Sequence, residues 1–222
     1  MNLFGVLQDA FPTLCKGLLT TVEVTVISLI IAAVLGILTC LFRISGIRPL
    51  EWIARFYIWL IRGTPMLVQA MYIYLALPQL IQLVTGSGFK ISIFAASILT
   101  LSLNAGAYMA EIFRGAIEAV NKGQTEASRS LGLNYAQTMR KVILPQAVRI
   151  CLPSLVNQCI ITLKDSTILY AIGLSEIMYY GKVYVGRTFA VFATYTWIAI
   201  FFLVVVSVLS IISRRIERRL KK

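Results

Sequence analysis

From residue 17 to residue 42 the chain reads GLLTTVEVTVISLIIAAVLGILTCLF, with Glu23 as its one charged side chain. A run of this kind constrains the fold more than any other feature. About 20 apolar residues cross the hydrocarbon of a bilayer as a helix, and a helix satisfies its backbone N–H and C=O groups internally. Further apolar runs follow. Of 222 residues, 59% are hydrophobic and 14% charged, and the mean hydropathy is +0.83. A water-soluble domain of that length needs far more polar surface. The sequence predicts an all-α integral membrane protein, a single transmembrane domain over residues 1–222 with no length left for a second, soluble one.

Five spans are predicted. The first covers residues 17–42, with Glu23 close enough to one end to sit at the interface. Residues 50–84 are too long for one straight span, since 35 helical residues reach about 50 Å. Arg62-Gly63-Thr64-Pro65 breaks the run: Thr64 is the expected N-cap and Pro65 the first residue of a restarted helix. The second span then covers about 64–84, kinked at Pro78, with an interfacial helix before it. A short turn at 85–90 leads to a third span, 91–114, and a polar hairpin at about 121–145. The fourth span, about 152–167, loses its apolar character at Lys164-Asp165-Ser166; a short helix and turn precede the fifth, 189–213.

Net charge is +12, from 21 Lys and Arg against 9 Asp and Glu. The basic residues gather at 43–62, 114–149 and 214–222, after the first, third and last spans. Basic residues beside spans mark the cytoplasmic side, which puts the N-terminus outside and the hairpin and C-terminus inside. The charge therefore reads as topology in a lipid bilayer, and no nucleic-acid partner is expected. Residues 1–17 lack the basic-then-apolar pattern of a signal peptide, so the first span is expected to be retained. Cys15, Cys40, Cys151 and Cys159 form no CxxC, and the chain has no histidine. Neither a disulfide framework nor a metal site is indicated, and the commonest general base is missing.

Within the hairpin, residues 124–131 suit two helical turns, with Glu126 toward the positive N-terminal end. Gly132 suits a left-handed C-cap, and Asn134 with Gln137 forms a capping-box pattern for a second helix ending at or before Pro145. Glu126-Ala127-Ser128, three residues, Gly132, nine residues, then Val142-Ile143-Leu144-Pro145 resembles the EAA loop of ATP-binding-cassette importer permeases. Ser128 stands where the pattern has alanine. Arg62-Gly63-Thr64-Pro65, the run from Asn104 through Tyr108 to Glu111, and Leu163-Lys164-Asp165-Ser166 resemble the polar amino acid branch, so the likeness covers essentially the whole chain. The basic run Arg214-Arg215-Ile216-Glu217-Arg218-Arg219 adds to it.

The resemblance implies a division of labour. Gly123, Glu126, Ala127, Ser128, Gly132, Leu144 and Pro145 would couple to a cytoplasmic ATPase dimer. Arg62, Gly63, Thr64 and Pro65 would form a gate at a helix start. ATP and Mg would reside on those ATPase subunits, and this chain would need no cofactor. It also implies an extracytoplasmic solute-binding protein, a second permease copy or paralogue, and a place in the bacterial inner membrane. The glycine-rich stretch at 86–90 lacks the GxxxxGK[ST] spacing, so the chain is expected to be a transporter subunit and not an enzyme.

Polar groups in hydrocarbon are costly and tend to mark substrate paths. Asn104 and Tyr108 on the third span, and Asn157, Gln158, Lys164 and Asp165 on the fourth, are the expected substrate-binding residues, two clusters able to face one cavity. Lys164 and Asp165 can meet the charged ends of an amino acid, while amides both donate and accept. Two plainer readings stand beside these: Lys164–Asp165 as an internal ion pair, and Asn104 as an interhelical hydrogen bond. A neutral Gln158 weakly disfavours cationic substrates. Glutamine is the first expectation that the resemblance implies, with cystine or another polar or cationic amino acid as the alternative. A secondary transporter would need internal repeats that are not seen. A membrane-embedded enzyme is opposed by the missing histidine and metal cluster. Glu111 and Arg114 are expected to pair locally.

Overall fold

The structure, a computed structural model, describes residues 3–86 and 88–220; Ser87 of the 85–90 turn and Lys221 and Lys222 of the basic tail lie outside them. Every regular element among the described residues is helical: α1 (Leu3–Ile44), α2 (Arg48–Arg62), α3 (Met66–Met71), α4 (Leu77–Thr85), α5 (Ile93–Glu118), α6 (Lys122–Ser130), α7 (Tyr135–Thr138), α8 (Leu144–Asp165), α9 (Ile177–Thr188) and α10 (Val191–Leu220). π turns at Tyr72–Ala76 and Met139–Ile143 and a 3-10 segment at Ser166–Ile172 complete them. Among the described residues, five continuous stretches are long and apolar enough to cross a membrane: Leu3–Ile44, Met66–Thr85, Ile93–Glu118, Tyr135–Ile172 and Val191–Arg215.

The bounds differ from expectation where packing extends a helix. α1 begins well before residue 17, because Val6, Ala10, Leu14 and Gly17 continue the buried stripe of Thr21, Val24, Ser28, Ala32, Gly36 and Cys40. Steps of three or four residues keep these on one face. The first part of that stripe meets Ile177 and Ile198 in a small apolar core, joining α9 and α10 to α1. The later part lies on α5, where a Cβ added to Gly36 would come within 2.8 Å of Met109 Cβ. Glycine therefore permits the close approach of the two helices. α5 is the central element, buried over most of its length, whereas little of α10 is buried. The third helix runs on to Glu118 rather than 114, and the fifth starts at Val191 rather than 189.

The fourth span is the larger correction. The sequence places its start near residue 152 and ends the hairpin's second helix by Pro145, yet the helix runs from Tyr135 through Pro145 to Asp165. Proline removes one N–H and crowds the preceding turn. Here the turn before it widens into a π turn, with Leu144 N donating to Met139 O, and Pro145 lies in the first turn after it. The same device stands before Pro78, where Leu77 N donates to Tyr72 O. The expected kink at Pro78 is thus a π turn one step earlier.

Thr64 is not the N-cap of the restarted helix. That position is Pro65, which offers no side-chain cap, and α3 starts at Met66. The Thr64 hydroxyl instead donates backward to Leu60 O at 2.8 Å, closing the end of α2. α2 itself is the predicted surface helix: Ala54 and Ile58 are buried, while Trp52, Phe56 and Trp59 stand exposed.

Candidate functional site

Two helix breaks approach one core. Ala70 and Ile73, just after the break at residues 62–65, pack with Leu169, Ile172 and Leu174, just after Lys164-Asp165, and with Leu101 of α5. Arg62 of the first break lies over the Tyr108 ring, 5.0 Å from its centroid. This is the geometry of a cation–π contact. Asn104, one turn earlier on α5, is buried and donates from Nδ2 to Gln69 Oε1 at 3.0 Å. The interhelical hydrogen bond expected of Asn104 is therefore present. Tyr57 adds a third tie, its hydroxyl donating to Leu103 O at 2.7 Å, and burial pushes that phenol up to about 12.

On α8, Gln158 is buried and its Nε2 donates to Thr162 Oγ1 at 3.3 Å. Its Oε1 has no partner among the described residues and is not among the wholly buried unpartnered atoms, so it is at least partly accessible. Asn157 and Lys164 are exposed and Asp165 is half-buried. Among the described residues Lys164 and Asp165 form no ion pair within 4.0 Å, so they do not close on each other as a salt bridge. A cleft of about 460 Å³ beside the first break is lined by Leu60, Ile61, Thr64, Gln69, Tyr72 and Leu103 and includes none of the α8 residues. Gln69 is the polar residue that sequence reasoning missed. Its signal was present, since it is an amide in an apolar run directly after a break.

At the membrane-proximal end of α5, Arg114 sits between Glu111 and Glu118, at 2.7 and 2.6 Å. The hairpin follows. Asn121 caps α6 by accepting from Gly123 N at 2.8 Å. Glu126 falls past the first turn, so it does not face the helix N-terminus as expected. α6 ends in a Schellman motif: Gly132 N donates to Arg129 O at 2.9 Å and Leu133 N to Ser128 O at 3.1 Å. Gly132 has φ +83°, and a Cβ there would meet nothing within 4 Å, so the conformation alone calls for glycine. Asn134 and Gln137 form the expected capping box.

The hairpin is two-faced. Ser128 is buried, its hydroxyl meeting Thr125 O at 2.9 Å and the buried Thr138 Oγ1 at 3.0 Å, which ties α6 to α7. Glu126, Ala127 and Gly132 are exposed, and so is Leu131 at 83%. Leu144 and Pro145 are exposed where the hairpin runs into α8. Serine at the position where the loop pattern has alanine is thus a pin inside the hairpin.

A five-span helical bundle with broken helices, an intramembrane amide cluster and a capped polar hairpin defines a membrane permease component. Residues 32–222 match the family described as the binding-protein-dependent transport system inner membrane component, and the chain belongs to that family. The arginine transport system permease protein ArtQ of Bacillus subtilis is 39% identical, over 100% of this chain and 99% of its own. The glutamine transport system permease protein GlnP of Escherichia coli is also 39% identical, over 98% and 97%. A crystal structure of an amino acid ABC transporter with histidines superposes with a TM-score of 0.92 at 36% identity, covering 99% of both chains.

Proposed function

We propose that this chain carries a neutral polar amino acid, glutamine first, across the bacterial inner membrane, with its N-terminus outside and the hairpin and C-terminus in the cytoplasm. It is an amino acid permease of the ATP-binding-cassette importer class, and ATP hydrolysis belongs to partner subunits. A second copy or a paralogue completes the path, two ATPase subunits holding ATP and Mg sit beneath it, and a solute-binding protein delivers the amino acid. The observation that carries the substrate reading is Gln158: a neutral, buried amide on α8 whose Oε1 is unpartnered and at least partly accessible. An amide there meets another amide by donating and accepting, whereas a guanidinium gains from an acid. The half-buried Asp165 and the arginine-permease relative favour a cationic amino acid as the second reading.

Coupling follows from the continuous helix. The stretch from Tyr135 to Ile172 begins in the hairpin and ends at the core shared by both breaks, so a push on Glu126, Ala127 and Leu131 of the α6 end would pass through the Ser128–Thr138 hydrogen bond into that stretch and on to the core. Closure of the ATPase pair would bring two hairpins together and turn the path from one side of the membrane to the other. The test is uptake by the assembled transporter from a panel of radiolabelled amino acids. Glutamine taken up in preference to arginine and cystine supports the substrate reading; arginine in preference to glutamine overturns it.

A further inference from the structure

The break at residues 62–65 has a specific hydrogen-bond deficit. In an unbroken helix, residue 65 would donate to Ile61 O, and Pro65 has no N–H to give. Gln69 fills the gap: Nε2 donates to Ile61 O at 2.7 Å and to Thr64 O at 3.0 Å, and lies 2.9 Å from Thr64 Oγ1. The Thr64 proton is already committed to Leu60 O, so Thr64 Oγ1 can only accept. A reversed amide would set Oε1 against three oxygens. Gln69 is buried apart from the edge it shows to the cleft, so such an arrangement would leave unpaired oxygens facing one another at a cost. Its orientation is fixed by the break.

The consequence passes to α5. With Gln69 Oε1 turned to Asn104, only Nδ2 of Asn104 can answer it, and it does so at 3.0 Å. Asn104 Oδ1 is thereby turned away. It has no partner among the described residues and is not wholly buried, so it remains an acceptor that is at least partly accessible.

We infer that Gln69 is a positioning residue for substrate: it takes its orientation from the break and sets Asn104 Oδ1 outward to accept an N–H of the amino acid. The inference rests on the placing of Asn104 in the substrate path. It also joins gate to site, since the same break supports Tyr108 through Arg62, and both α5 side chains lean on residues 62–69.

The test is a double-mutant cycle on the assembled transporter in proteoliposomes, reading KM and kcat for whichever of radiolabelled glutamine and arginine it takes up. Gln69→Met and Asn104→Leu should each raise KM roughly tenfold, the scale of one lost buried hydrogen bond. The double variant should do no more than Asn104→Leu alone. A Gln69→Met that lowers kcat at unchanged KM, or effects that multiply, would overturn the inference. If Asn104→Leu itself leaves KM unchanged, the placing of Asn104 falls; if only Asn104→Leu raises it, this inference alone falls. Asn104→Asp covers the case in which Gln69→Met does not assemble, because it leaves Gln69 in place. With Gln69 Oε1 fixed, a carboxylate meets oxygen with oxygen and KM rises several-fold. Unchanged or lowered KM would show that Gln69 is free to turn.

Discussion

At the scale of single residues, the account turns on amides and one acid. Gln158→Glu puts a negative charge where the unpartnered Oε1 now stands, and charge-assisted pairing with a cationic side chain exceeds a neutral hydrogen bond. Competition uptake should then shift toward arginine over glutamine by on the order of tenfold. An unchanged preference in a correctly inserted protein would remove Gln158 from the path. Glu176 makes a separate case. It is 0% exposed, caps α9 by accepting from Tyr179 N at 2.8 Å through Oε1, and leaves Oε2 without a partner. Burial pushes its carboxyl from 4.5 up to about 7, against the two backbone N–H groups that favour the charged form. A folded-state value above the unfolded one means the folded chain holds the proton longer as pH rises. Its stabilising contribution is present below about 4.5 and is lost as pH rises to about 7, a span worth on the order of 3 kcal/mol. The Tm of the purified protein in detergent should fall between about pH 5 and about pH 8, and Glu176→Gln should flatten that fall. An equal slope in the variant would place the titration elsewhere.

At the scale of elements, the hairpin is where local sequence and structure agree most closely. Gly132 at φ +83° and the Asn134–Gln137 capping box are set by a few adjacent residues, so they were legible without tertiary context. Features fixed by distant packing were not. The early start of α1 depends on α9 and α10 receiving Val6, Ala10 and Leu14, and no local signal in residues 3–16 announces it. Pro145 and Thr64 misled for a related reason. A proline reads as a helix end and a threonine before proline as a cap, but a π turn absorbs the first and Leu60 O takes the hydroxyl of the second. Valine resists a left-handed conformation, so Gly132→Val should distort the Schellman end of α6 at a cost of about 1–2 kcal/mol. It should abolish co-purification of the ATPase and uptake while leaving membrane insertion intact. Ala127→Tyr should do the same by adding bulk on the exposed face. ATPase binding and uptake retained in both would reduce the hairpin to a connecting loop.

At the scale of the molecule, the five spans were legible because bilayer thickness makes length and hydropathy sufficient evidence, whereas the α5–Gln69 link was not, since it joins residues 35 apart. Orientation is a matter for labelling: single cysteines placed at 85–90 should react with an impermeant reagent from outside, and a cysteine near Gly123 should not. The reverse pattern would carry the hairpin away from any cytoplasmic ATPase. The most direct test of the central claim is reconstitution of the chain with its ATPase, binding protein and permease partner in vesicles, with labelled amino acid outside and ATP added or withheld inside. Uptake that requires both ATP and the ATPase subunit is expected. Uptake at the same rate without either, driven by an ion gradient alone, would contradict it.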